Sequence, residues 1–364
     1  MTLPEVSDRV RRRLVWLLPV IVAAVVALVL TMSGSSSASA PDLKRLTAKQ
    51  LIVAVQRSTA TSFSGTVTET TDLGLPSLPG DAARASLSWP TFLTGTHSIR
   101  VWADGPSRQR LALIGQLSEA EVVHNGRDVW TYTSHTDTVS HTVLPEDARD
   151  ARPAGTELTP SAVADRLLEA ITPTTVVRVD RARMVAGRPA YTLSLQPRDS
   201  RSTIRKVRIA VDATRFIPLQ VQVFGAASSP AISLGFSQIS FHQPAADTFV
   251  FHTPKGASTQ TNPLTVPRHR FHNRRSGVAG ISPTTAGHAD RPSVIGSGWT
   301  AVFETHDSGA FGGGMLQDAS TTLADGTRLL HTALINAMFL PDGRVFAGAV
   351  APGALQHIAA TTPR

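Results

Sequence analysis

The 364-residue sequence contains no cysteine. That absence excludes disulfides, zinc-thiolate sites, iron-sulfur clusters and a cysteine nucleophile, and with them a lipid-modified N-terminal cysteine. Charge is missing from one stretch in particular. "LVWLLPVIVAAVVALVLTM", Leu14 to Met32, carries no charged residue in 19 positions. As a helix rising 1.5 Å per residue it is about 28 Å long, close to the hydrocarbon core of a bilayer. Arg9, Arg11, Arg12 and Arg13 precede it. The positive-inside rule keeps them in the cytoplasm and places everything after Met32 outside. The alternative is a cleaved signal peptide, since "ASA" at 38–40 fits a signal peptidase site. The length of the apolar run and Pro41 in the first mature position favour an anchor, and both readings make the remaining chain extracytoplasmic.

Acidic residues are also absent where the basic ones gather. The net charge is +8, of which residues 1–13 hold +2 and residues 255–275 hold +5 without one acid, leaving the folded parts near neutral. A basic tail and a basic linker on a chain held outside the cell membrane do not make a nucleic-acid-binding protein. "VPRHRFHNRRSG" at 266–277 reads as a solvated linker able to lie on anionic surface polymer or lipid headgroups.

What is present is enough apolar residue, 41%, to build a core, and a length with room for two domains. "SGSSSASAPD" at 33–42 is a flexible stalk. Thr47 and Gln50 form a capping box before an amphipathic helix over about 48–59. Strand-like stretches follow, among them "HSIRVWAD", "RQRLALIG" and "EAEVVHNGRDVWTYTS", the last with the hairpin signal Asn125-Gly126. A second helix begins after Thr159, with Pro160 at its first position. Four strands come next: the hairpin in "AYTLSLQPRDSRSTIRKVRIAVD" (190–212), then "IPLQVQVFG" and "AISLGFSQISF". Strands do not alternate with crossover helices, so the pattern predicts one large antiparallel sheet with helices over one face. Residues 258–295 read as a basic flexible linker, and 296–364 as a small α+β module.

Few residues suggest chemistry. "HDSGAFGGG" (306–314) lacks the elbow around Ser308 that a serine nucleophile needs, and "GSGW" (296–299) lacks the third glycine of a dinucleotide site. His124, His135, Asp137 and His141 have strand spacing compatible with a surface metal, but exposed strand positions explain them better. Neither a metal nor a cofactor is expected, nor an enzyme. Trp89, Phe92, Trp102 and Trp130 either pack between sheet and helices or line an apolar ligand cavity. Leu73, Leu75 and Leu78, apolar residues in a loop, are candidates for the mouth or lid of that cavity.

"VAGRPAYTLSLQPRD" (185–199), "VDATRFIPLQVQVFG" (211–225) and "FSQISFHQPAADTFVFHTPKGA" (236–257) resemble, in order and spacing, the consecutive C-terminal strands of the LolA-like lipoprotein carrier superfamily. "SGTVTET" and "HNGRDVWTY" match its early strands, so the resemblance covers about residues 43–257 and is nearest to membrane-anchored actinobacterial members. It implies an incomplete antiparallel β-barrel covered by helices, enclosing a cavity for acyl chains. Together these readings give a cytoplasmic tail (1–13), a transmembrane helix (14–32), a stalk (33–42), the half-barrel domain (43–257), the linker and the C-terminal module. The expected function is to bind a lipid or lipidated protein for transfer or presentation. The alternative is an envelope-stress sensor resembling the RseB/MucB-type sigma-factor regulators, which binds a protein partner in the envelope.

Overall fold

The computed structural model describes residues 42–75, 92–115, 118–145, 159–169, 173–263, 293–306 and 319–363. Residues 14–32, the "ASA" at 38–40, Leu78, Trp89 and most of the 258–295 tract lie outside them. Among the described residues no helix is long and apolar enough to cross a membrane.

Alternation of apolar and polar side chains builds one twelve-stranded sheet. Its strands are β1 (Ser62–Asp72), β2 (Thr94–Asp104), β3 (Arg108–Ile114), β4 (Glu119–Asn125), β5 (Asp128–Thr133) and β6 (Thr138–Val143), followed by β7 (Thr175–Val185), β8 (Arg188–Pro197), β9 (Lys206–Asp212), β10 (Pro218–Phe224), β11 (Ile232–Ser240) and β12 (Ser258–Pro263). They lie in the order β12-β6-β5-β4-β3-β2-β1-β11-β10-β9-β8-β7. Neighbours are antiparallel except β12 and β6, which run parallel. β12 and β7 are the edges, so the sheet stays open, as expected of an incomplete barrel.

Two strands depart from the sequence reading. β7 was not among the four strands expected after the second helix. Its Arg178, Asp180, Arg181 and Arg183 break the apolar alternation, and its register slips between Asp180 and Arg183. An edge strand tolerates both, because one side has no partner to satisfy. β12 occupies the first residues of the tract expected to be linker. Its Thr259 and Thr261 pair with Val139 and His141, so the sheet gains a strand beyond residue 257.

The period of two sorts the sheet into two faces. On one, Val67 stands between Ile99 and Phe236, and the row continues into β3 through Leu113. Further along this face lie Leu193, Ile209 and Val221. Both helices pack here: α1 (Ala48–Gln56) and α2 (Pro160–Glu169). The other face carries the row Ser64, Trp102, Arg110, Val123, Trp130 and His141. A 3-10 turn, Ala246–Phe249, covers part of it, with Phe249 buried and Thr248 accepting a bond from Arg110 Nη1 at 2.9 Å.

The C-terminal module is a six-stranded sheet: β13 (Ser293–Ile295), β14 (Val302–His306), β15 (Thr321–Thr322), β16 (Arg328–Leu330), β17 (Asn336–Phe339) and β18 (Arg344–Gly348), in the order β13-β14-β18-β17-β16-β15. The Pro-Asp-Gly turn at 341–343 joins β17 to β18, with Gly343 at φ 86° and the Asp342 carboxylate accepting from Arg344 N. α3 (Pro352–Thr361) lays Leu355 and Ala359 on Val302, Met338 and Phe346.

This module is bonded to one end of the large sheet. Ala333 N donates to Leu73 O at 2.9 Å, Thr203 N to Ala349 O at 2.9 Å, and Trp299 Nε1 to Thr175 Oγ1 at 2.8 Å. Leu73 follows β1, Thr203 lies between β8 and β9, and Thr175 begins β7, so all three contacts fall at the same end. Gly225, just after β10, sits there too, and a side chain at that position would run into the Ala333 carbonyl.

Candidate functional site

The site begins with how the two helices are fixed. Thr47 Oγ1 accepts from Gln50 N, and Gln50 Oε1 accepts from Thr47 N at 2.9 Å, the reciprocal pair expected from the sequence. Thr159 Oγ1 accepts from Ala162 N at 3.2 Å in front of α2. So capped, the helices set Leu51 and Val55, Ala164 and Leu168, against Tyr191, Leu193, Leu195, Val207, Ile209, Val211 and Val221. Leu51, Ala164, Leu193, Ile209 and Val211 are 0% exposed. No space the size of a water molecule therefore adjoins them. The hollow expected between helices and sheet is filled by side chains along this stretch, because α1 and α2 both present residues that reach the strands directly.

Open space lies at the rim of that interface. Where α1 ends, a cleft of about 340 Å³ is lined by Ala54, Arg57, Ser58, Thr59, Ala60, Thr214, Arg215 and Phe216. Its far wall is the β9–β10 turn, which is held rigidly. Asp212, with no exposed surface, accepts from Thr214 N at 2.9 Å and Arg215 N at 2.6 Å, and pairs with Arg188. Phe216 N donates to Asp212 O at 3.0 Å, and Ser58 Oγ donates to Arg215 O at 2.7 Å, tying helix to turn.

Phe216 sits at φ +56°, a conformation that a bulky side chain adopts only under constraint. Its ring stacks on Tyr191 at 6.4 Å, and Tyr191 in turn donates through its hydroxyl to Lys44 O. The Arg215 guanidinium lies 5.6 Å from the Phe241 ring, with Arg188 over the same ring at 4.7 Å. The result is an apolar floor of alanines and a phenylalanine with Arg57 and Arg215 among its lining residues. Such a cleft accepts a short apolar segment whose end is polar or anionic. It holds no nucleophile paired with a base.

The residues singled out from the sequence do not converge on this cleft. Leu75 packs instead with Leu330, Ala337, Phe339 and Val345 of the C-terminal sheet, and Leu73 bonds to Ala333, so the loop expected to act as a mouth joins the two modules. Phe92 packs on the main core and meets His97 edge-on at 5.3 Å. Trp102 is on the face opposite the helices, beneath the Arg100 and Arg110 guanidiniums at 4.9 and 5.9 Å. Trp130 shares that face, stacked between His141 at 3.7 Å and Phe251 at 5.2 Å.

Two of the histidines weighed as metal ligands are bonded elsewhere. His141 Nε2 bonds to Asp128 Oδ1 at 2.7 Å, and buried His124 Nε2 to Gly126 O at 2.8 Å. Among the described residues no three ligating side chains gather. Sequence reasoning missed Arg57, Ser58, Arg215 and Phe216. The Asp212-Ala-Thr-Arg stretch signals a turn, but nothing in it marks Phe216 for a positive φ.

No family model matches the chain, and no curated protein matches it. Solved structures similar to it include LolA superfamily and MucB proteins. The MucA/MucB complex of Pseudomonas aeruginosa aligns with 16% identity and a TM-score of 0.40 over 85% of this chain and 94% of that one. A LolA superfamily protein from Nitrosomonas europaea aligns with 14% identity and a TM-score of 0.22 over 57% and 99%. LprF from Mycobacterium bovis aligns with 9% identity and a TM-score of 0.30 over 58% and 97%. At these values the likenesses carry no functional argument, and the function has to be read from this chain's own residues.

Proposed function

We propose that this protein is a binding protein of the cell envelope, anchored by residues 14–32 with its sheet outside the cytoplasm, that holds an acyl chain of a lipid or lipidated protein for transfer or presentation. The observation that supports it is the cleft at the end of α1. Its volume of about 340 Å³ falls at the lower end of the roughly 300–1,000 Å³ typical of small-ligand sites. Burying about six methylenes there contributes on the order of 5 kcal/mol at ~0.8 kcal/mol each. Longer chains require α1, nine residues long, to lift from the strands and give up the Ser58 bond to the β9–β10 turn. Titration of the full chain in detergent with a fluorescent fatty acid tests the reading. Saturable binding that Ala54→Trp abolishes supports it, and absence of saturable binding rejects it.

A second reading, a sensor that binds a protein partner, is favoured by one feature of the C-terminal sheet. Val294 on edge strand β13 and Phe303 opposite it on β14 are 55% and 39% exposed on the same face. An apolar pair beside an open strand edge suits an added strand from another chain. Failure of fatty-acid binding together with loss of a partner on Phe303→Asp selects this reading.

A further inference from the structure

We infer that the face of β7–β10 turned away from the helices holds a second site, for a phosphate-type oxyanion, built from Arg183 and Arg208 and flanked by Arg178 and Lys206. The strand register puts these side chains together. Arg178 stands opposite Ser194, Ser194 opposite Arg208, and Arg208 opposite Gln222, in one row across four strands. In the next row Thr192 lies between Asp180 and Ala210.

Arg183 enters from β7 beside Ala190 and reaches across to β10. There its Nη1 donates to Gln220 Oε1 and to Gln222 Oε1, both at 3.0 Å. The residues crossed on β8 and β9 are alanines, Ala190 and Ala210, which leave room for the arginine stem. The guanidinium is thus held by neutral carbonyl oxygens, with its Nε and Nη2 making no hydrogen bond among the described residues. Burial, and secondly the neighbouring Arg208, pull its pKa below the usual arginine value.

The other cations are placed as deliberately. The Arg208 guanidinium lies 4.8 Å and the Lys206 ammonium 5.0 Å from the Phe224 ring, which fixes both without neutralising them. Among the described residues none of Arg178, Arg183, Lys206 or Arg208 makes an ion pair with a carboxylate; exposed Asp180 acts on Arg183 from a distance, and Asp212 on the same face is taken by Arg188.

A solvated surface explains exposed cations, but the setting of Arg183 goes beyond it. Arg183 is half-buried beside a like charge, an arrangement that costs free energy unless an anion relieves it. A tetrahedral oxyanion supplies acceptors for the free guanidinium donors of Arg183, whose Nη1 is already fixed by Gln220 and Gln222, and arginine is the side chain suited to such an oxyanion. This site is separate from the cleft at α1 and does not depend on the acyl-binding reading.

The test is calorimetric titration of the full chain in maltoside micelles with two probes, inorganic phosphate and a short-chain phosphatidylglycerol. Binding of either probe is expected to weaken about tenfold or more in Arg208→Gln and in Arg183→Gln. Arg205→Gln, an exposed change between β8 and β9, leaves binding unchanged. Tighter binding of the lipid assigns the site to a headgroup, and equal binding assigns it to the free anion; both support the inference. It is overturned if neither probe binds, or if both arginine variants bind as the wild type does.

Discussion

The two faces of β7–β10 come from the same strands and share nothing else. One carries Leu193, Ile209 and Val221, closed off by α1 and α2. The other carries Ser194, Arg208 and Gln222, each the immediate chain neighbour of one of those residues, and is lined with cations. The difference teaches where each kind of binding energy is available. The helix face is already filled, so an apolar guest has to enter at the rim or displace a helix. On the opposite face, polar groups are fixed in place but incompletely partnered, which suits a charged guest and contributes little to folding.

Stability measurements can break that contrast. Leu193→Ala is expected to cost about 3–4 kcal/mol in urea unfolding, as a buried leucine with no exposed surface, whereas Arg208→Gln across the sheet stays within about 0.5 kcal/mol. Comparable losses would refute the division of labour between the faces. Asp212→Asn comes next, at about 2–3 kcal/mol, because it leaves Arg188 without its buried partner and weakens the turn that forms the cleft wall. Thr47→Ala is expected to cost about 1 kcal/mol by uncapping α1, with Gln50→Ala adding little in the double variant since the two act as one unit.

The smallest effect is a dependence on pH. Burial holds the Glu121 carboxyl above the usual carboxylate range, despite the opposing pull of Arg110. The folded state therefore binds this proton more tightly than the unfolded state. Its contribution is fully present below the unfolded value and declines as pH rises through the raised folded one. Glu121→Gln is expected to flatten the fall in stability over that window, and an unchanged slope would show that Glu121 is not its source.

Local signals were legible where they depend on neighbours in sequence. Thr47 with Gln50, Thr159 with Pro160, and the hairpin near Asn125 all stand where the pattern put them. In the hairpin Asn125 pairs with Asp128, so the two connecting residues are Gly126 and Arg127 rather than Asn-Gly. β7 was not legible, because an edge strand with a bulge does not keep its alternation. Nor was the fate of Leu73 and Leu75, since an apolar loop serves equally as a lid or as a joint to another module. Trp102 and Trp130 share a face, as their alternation requires, but no local pattern tells which face the helices take. The cleft depends on the ending of α1 meeting a turn more than 150 residues away, and contacts of that range leave no trace in a short window.

The most direct measurement is native mass spectrometry of the full chain released from detergent after incubation with a long-chain fatty acid, in wild type and in Ala54→Trp. The account predicts a species heavier by one fatty acid in the wild type and its loss in the plugged variant. A wild type that carries no fatty acid, or a variant that carries as much, would contradict it.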